Sequence, residues 1–225
     1  MFKQEWIDKS RRRMPEKLAR RIISVDPAIT SNPKYSDATG IVDLGLGIDG
    51  QVYVLANRSG VHRAEVWPGM VVDAYVRGAC DIVLVETNRG GTAWSALLRV
   101  AAQDRGLSLV ELGALEVPGN RSGVVYFRPI HARGQKTARA GGAAALCERG
   151  RVSFIPGALG DLEDRLCNFD GADGKPDDAI DAFVHGCHEL AGLAGAAVDN
   201  AVGFRGIKEM SAALNATPRG AAVNL

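Results

Sequence analysis

Apolar residues along this chain fall into short blocks whose spacing switches between the pattern of strands and that of helices. Arg21 to Asp26 (RIISVD) is a β-branched run that ends in an acid, which predicts a strand. Residues 27–39 (PAITSNPKYSDAT) are dense in Pro, Ser, Asn and Asp, the residues of turns and loops. Gly40 to Leu46 and Gln51 to Ala56 are apolar runs flanking Gly47-Ile48-Asp49-Gly50, so they predict a β-hairpin. Glu65 to Arg77 carries Val66, Met70, Val71, Ala74 and Tyr75 at three- and four-residue spacings, one face of a helix. Asp81 to Glu86 (DIVLVE) is again a buried-strand run closed by an acid. The turn Asn88-Arg89-Gly90-Gly91 follows, and Thr92 is placed to cap a helix from Ala93 to Gln103. Strands are expected at Leu107–Leu112, Gly123–Phe127 and Arg151–Ile155, with a helix at Thr137–Arg149 between the last two. Pro176 suits the first position of a final helix whose apolar face is Ile180, Phe183, Val184, Cys187 and Leu190.

The order opens β-β-β-α-β-α-β and closes on a late helix, which predicts an α/β domain with a mixed central sheet, an antiparallel start and flanking helices. That is the ribonuclease H-like order. The domain is expected over residues 21–193. Residues 1–20 are polar and basic, with Arg11, Arg12 and Arg13 in a row, and read as a solvated linker or a short helix. Residues 194–225, rich in Ala, Gly and Asn without a period, read as a weakly ordered tail.

Composition narrows the function. The 225 residues suit one domain, and 46% hydrophobic residues suffice for a core. Lys+Arg 27 against Asp+Glu 26 gives a net charge of +1, so any polyanion-binding surface must be local. No apolar run reaches the roughly 18–20 residues of a membrane span, and the charged N-terminus has no signal-peptide core; a cytoplasmic protein without a membrane partner is expected. Four well-separated cysteines fit that reducing compartment better than a disulfide framework. GxxxxGK[ST], GxSxG and HExxH are all absent from the sequence, and its Gly-Leu-Gly-Ile-Asp-Gly run lies in the hairpin, which excludes a dinucleotide fingerprint.

The candidate chemistry is carboxylate. Asp26 ends the first strand, Glu86 ends the fourth, and Asp177, Asp178 and Asp181 open the last helix. Ligand sites form at strand ends on one edge of an α/β sheet. Asp178 and Asp181 are three apart on a helix and share a face, and His185 follows on a similar one. Acids crowded in this way repel unless hard cations join them, and Mg²⁺ or Mn²⁺ prefers oxygen ligands. Two such ions cleave phosphodiesters by activating water and stabilising the leaving oxygen. Asp26, Glu86, Asp178 and Asp181 are therefore the candidate metal ligands, with Asp37, Asp177 and His185 as accessory positions. A basic stretch, Arg121, Arg128, Arg133, Lys136, Arg139, Arg149 and Arg151 against the single acid Glu148, predicts phosphate contacts. Arg133, Lys136 and Arg139 are its candidate DNA contacts. The charges within Pro129 to Arg139 (PIHARGQKTAR), which has little apolar content, are expected to be exposed, and DNA grip to be separable from the chemistry.

Several segments resemble the nuclease domain of large terminase subunits, the DNA-packaging motors of tailed phages and gene transfer agents. Ser24 to Val42 (SVDPAITSNPKYSDATGIV) looks like its first catalytic block, Val83 to Gly91 (VLVETNRGG) its second and Lys175 to Leu190 (KPDDAIDAFVHGCHEL) its third acidic block. Pro129 to Phe169 fits between them, and Phe2 to Asp8 (FKQEWID) resembles the segment that joins motor ATPase to nuclease. Where the family often has His before the acid pair, this chain has Pro176. The resemblance implies a metal-dependent endonuclease with Mg²⁺ or Mn²⁺ as a two-metal cofactor, cutting concatemeric double-stranded DNA. Catalytic acids would be Asp26, Glu86 and one of the Asp177/Asp178 pair, Asp178 favoured. Implied partners are a terminase ATPase domain outside this sequence, the small terminase subunit and the portal protein. The alternatives are a Holliday-junction resolvase-like nuclease of the same fold and a non-catalytic DNA-binding assembly subunit.

Overall fold

Seven strands make one mixed sheet in the order β5-β6-β4-β1-β2-β3-β7 in the computed structural model, which describes residues 1–28, 38–88, 90–114, 116–132, 135–171 and 177–192. The strands are β1 (Leu18–Asp26), β2 (Gly40–Gly47), β3 (Val52–Asn57), β4 (Ile82–Glu86), β5 (Ser108–Glu111), β6 (Val124–Ile130) and β7 (Val152–Phe154). The helices are α1 (Gln4–Lys9), α2 (Trp67–Arg77), α3 (Thr92–Gln103), α4 (Lys136–Glu148), α5 (Leu162–Asn168) and α6, residues 178–192. Strands β1, β2 and β3 run antiparallel in succession. The remaining pairs, β1 with β4, β4 with β6, β5 with β6 and β3 with β7, are parallel. A tight turn joins β2 to β3, with Gly50 at φ +78° supplying the left-handed conformation. Parallel neighbours need longer crossovers, and α2 and α3 provide those on either side of β4. This is the ribonuclease H-like arrangement of mixed sheet and flanking helices expected from the sequence.

Side chains alternate between the two faces of a strand. On one face, Ile23 and Val25 of β1, Ile41 of β2, Val83 and Val85 of β4 and Val125 and Phe127 of β6 meet α2 and α3 in one apolar cluster. Trp67 and Trp94 close it edge to face, with ring centroids 5.8 Å apart. The other face packs against α6, where Gly186 lets the helix approach Leu44 and Phe183 stacks on Phe154 at 6.2 Å. No helix among the described residues is long and apolar enough to cross a membrane.

Three local expectations are corrected. The first ten residues are anchored at a few positions and not wholly solvated: α1 buries Ile7, Phe2 sits edge-on to Phe183 at 5.8 Å, and the terminal amine donates to the Phe169 carbonyl. Met1, Phe2, Trp6 and Ile7 among polar neighbours give no period to read, yet burying Phe2 and Ile7 suffices to seat a one-and-a-half-turn helix. Strand β1 begins at Leu18, three residues earlier than its apolar run. Thr92 is the first residue of α3 and not its cap; Gly91, at φ +50°, precedes the helix. Helix α5 was not expected from the spacing. Pro176 and residues 194–225 lie outside the described residues.

Candidate active site

Strands β1 and β4 are parallel neighbours, with Val25 opposite Val85, so Asp26 and Glu86 end up side by side at the carboxyl ends of the central strands. Val25 and Val85 belong to the apolar cluster under α2 and α3. By alternation the next residues, Asp26 and Glu86, face α6. Helix α6 brings its first-turn acids to that edge and is tied down further along by the ion pair between Arg128 of β6 and Glu189.

The environments of the acids differ. Asp26 keeps some accessible surface, but no hydrogen bond or ion pair reaches its carboxylate among the described residues. Burial first, then the negative charges of Glu86, Asp178 and Asp181, push its carboxyl well above the ordinary aspartate value; the Lys136 ammonium opposes them. For Glu86 burial also pushes upward, but its contact with His185 and the nearby Arg139 and Lys136 charges outweigh it, so its carboxyl is held below the usual value. His185 Nε2 lies 2.8 Å from Glu86 Oε2, and the ring is only 9% exposed. Asp181, 7% exposed, has Lys136 Nζ 2.5 Å from one oxygen and Arg139 Nη2 3.5 Å from the other.

Asp177 points elsewhere. Its carboxylate accepts a hydrogen bond from the Ile180 amide at 3.4 Å and faces Arg165 at 3.4 Å. It thereby supplements the 3.0 Å bond from the same amide to the Asp177 carbonyl at the start of α6. Asp26, Glu86, Asp178, Asp181 and His185 are thus brought to one edge, whereas Asp177 serves the helix end. Asp37 and Arg133 lie outside the described residues.

Among the described residues of the basic stretch, Lys136 and Arg139 are not freely exposed as expected. Lys136 and Arg139 turn inward onto Asp181, and Arg128 turns onto Glu189. Arg121 pairs with Asp81, and Arg151 donates to the Gly50 carbonyl. The stretch is cut up by β6, α4 and β7, so its members face different parts of the sheet. Lys136 and Arg139, the expected phosphate contacts, therefore stand beside the acids and not apart from them. Sequence spacing shows the cations and the acids but not their pairing, because Lys136 and Asp181 meet only after α4 and α6 pack on the same face.

The donor set, four carboxylates and an imidazole, suits a hard divalent ion. The Lys136 ammonium already stands as a positive charge among these carboxylates. Among the described residues no three acid, cysteine or histidine side chains converge as a ready-made ligand set. Asp181 is engaged by Lys136 and Glu86 by His185, so the donors are present but spoken for.

Sheet order, helix placement and strand-end acids define the ribonuclease H-like fold. No family model matches the sequence, and no curated protein matches it. In three dimensions the chain is similar to the human cytomegalovirus terminase nuclease domain, with a TM-score of 0.58 and 14% identity over 84% of this chain and 94% of that one. It is also similar to the nuclease domain of the large terminase subunit gp2 of bacterial virus Sf6, with a TM-score of 0.55 and 12% identity over 83% of this chain and 97% of that one. The cytomegalovirus domain is also known soaked with manganese, and that form has a TM-score of 0.54. The fold is thus that of terminase nuclease domains.

Proposed function

We propose that this chain is the endonuclease domain of a large terminase subunit, cutting concatemeric double-stranded DNA during packaging into viral or gene-transfer-agent capsids. The observation that carries the reading is Asp26: a carboxylate with no cation at hydrogen-bonding distance among the described residues, faced by Glu86, Asp178 and Asp181 at the strand ends of a terminase-nuclease fold. A protein gains no stability from such an arrangement, whereas phosphodiester hydrolysis by divalent ions needs it.

Asp26, Glu86, Asp178 and Asp181 would hold Mg²⁺ or Mn²⁺, two ions in the two-metal scheme. When bound, such ions supply positive charge at the scissile phosphate and lower the pKa of attacking water. His185 fixes the Glu86 carboxylate through its hydrogen bond. Lys136 and Arg139 hold Asp181 in place and limit the negative charge that the DNA backbone meets on approach. Together with Arg133 they are the proposed phosphate contacts. Asp177 keeps the first turn of α6 in register. The proposed setting is the host cytoplasm, with the terminase ATPase, small subunit and portal as partners. Incubating supercoiled plasmid with Mg²⁺, Mn²⁺ or EDTA, wild type beside Asp26→Ala, tests this. Cutting is expected only from wild type with a divalent ion, and full cutting in EDTA overturns it.

A further inference from the structure

Gly40 begins β2 and lies directly across from Asp26 in the antiparallel β1–β2 ladder. Directly opposed residues point to the same face, with Cβ atoms about 4.5–5.5 Å apart. A side chain at position 40 would therefore project next to the Asp26 carboxylate, toward α6. The first turn of α6 fills that space instead. A Cβ on Gly40 would lie 1.9 Å from the Asp178 carbonyl oxygen, 2.3 Å from its carbonyl carbon and 2.8 Å from the Ala179 nitrogen. All three are backbone atoms, so no side chain can swing aside to make room. Gly40 is not in the left-handed region. The requirement is for space, not for conformational freedom.

We infer that Gly40 is a positioning residue of the acid cluster: its missing side chain is the seat on which the first turn of α6 rests beside Asp26. The seat sets how near Asp178 and Asp181 stand to Asp26, and the inference rests on the metal-dependent reading above. Ordinary non-bonded carbon contacts begin near 3.5 Å, so even a methyl group lifts this turn of α6 by about 1.5 Å. A misplacement of about 1 Å in a catalytic constellation costs on the order of a hundredfold in rate.

Gly186 supplies the matched control. It sits on the same helix, two turns further along, and a Cβ there would come 2.4 Å from Leu44 Cδ1, the tip of a flexible side chain. Gly186→Ala disturbs the packing of α6 without lifting its acid-bearing turn.

The test compares wild type, Gly40→Ala and Gly186→Ala for thermal stability, Mn²⁺ affinity by titration calorimetry without DNA, and plasmid cutting. Both variants should lose stability. Only Gly40→Ala should lose Mn²⁺ affinity, by tenfold or more, with cutting reduced about a hundredfold. Equal Mn²⁺ affinity in Gly40→Ala and wild type, or equal losses in the two variants, overturns the inference. If Gly40→Ala is not folded by circular dichroism, the series is repeated in trimethylamine N-oxide, which favours compact states. Failure to fold there as well assigns Gly40 to the fold alone and overturns the positioning role. No Mn²⁺ uptake by wild type strikes instead at the metal-dependent reading, which is thereby told apart from the seat.

Discussion

Two carboxylates sit on the paired strands β1 and β2, on opposite faces of the sheet, and their surroundings are opposites. Asp43, on the side of α2 and α3, is fully buried, and Arg58 holds it in a two-pronged grip of 3.3 and 3.0 Å, with Arg21 at 3.6 Å. Asp26, on the side of α6, has no cation at hydrogen-bonding distance among the described residues and faces three further acids. A buried charge that serves the fold is compensated by its neighbours. One whose neighbours aggravate it is maintained for something that arrives later. The same contrast holds for the faces as wholes: the α2–α3 side is a continuous apolar cluster, whereas the α6 side brings Asp181, His185, Lys136 and Arg139 against the sheet edge.

The largest effects should come from exchanging the two aspartates. Asp43→Ala should destabilise the protein by about 2–3 kcal/mol by urea denaturation, at the low end for a broken buried pair because both guanidiniums keep some contact with water. Asp26→Asn should abolish plasmid cutting with no loss of stability. If Asp43→Ala is neutral and Asp26→Asn unfolds the protein, the contrast between the two sites collapses.

Stability against pH sharpens the same comparison. The Asp26 carboxyl titrates higher in the folded than in the unfolded chain, so between those two values the folded state binds more protons. Its contribution is fully present below the ordinary aspartate range and is lost as pH rises through the raised folded value. Asp26→Asn removes that dependence. In metal-free buffer the variant should match wild type in acid and become the more stable as pH rises. Glu86 works in the opposite sense, since its depressed carboxyl contributes stability that is lost as pH falls. A constant melting-temperature difference between Asp26→Asn and wild type across pH would contradict the raised Asp26 value.

Lys136→Ala should have an intermediate effect. It removes the nearer cation from the buried Asp181 and should cost about 1–3 kcal/mol, the penalty for a buried polar group left short of partners. Added Mn²⁺ should then raise the melting temperature of the variant more than that of wild type, because the ion takes over the place of the ammonium. Equal shifts would show that Lys136 and the ion do not share a place. The smallest effect separates neighbouring acids. Asp177→Ala should lose about 0.5–1 kcal/mol as a helix cap, with cutting retained, whereas Asp178→Asn should lose cutting. Loss of cutting from Asp177→Ala alone would move the site by one residue.

Much of this architecture is legible from the chain itself. RIISVD and DIVLVE are apolar runs closed by an acid, and a buried strand with a carboxylate at its end is what that local pattern specifies. The hairpin around Gly47 to Gly50 and the three- and four-residue spacings of α2 and α3 are equally local, since backbone geometry alone sets their periods. What the sequence did not disclose depends on residues far apart along the chain. The first ten residues show a few apolar positions without a period among charges, and only contact with Phe183 gives Phe2 a buried site. Lys136 and Arg139 look like a free basic patch until α4 and α6 pack together and Asp181 claims them. Gly40 looks like an ordinary first residue of a strand until the backbone of Asp178 occupies the place of its side chain. The sequence by itself determined which residues carry charge and which segments alternate. The tertiary structure alone decided which charge meets which, because separation in space is set by strand order and helix packing and not by position along the chain.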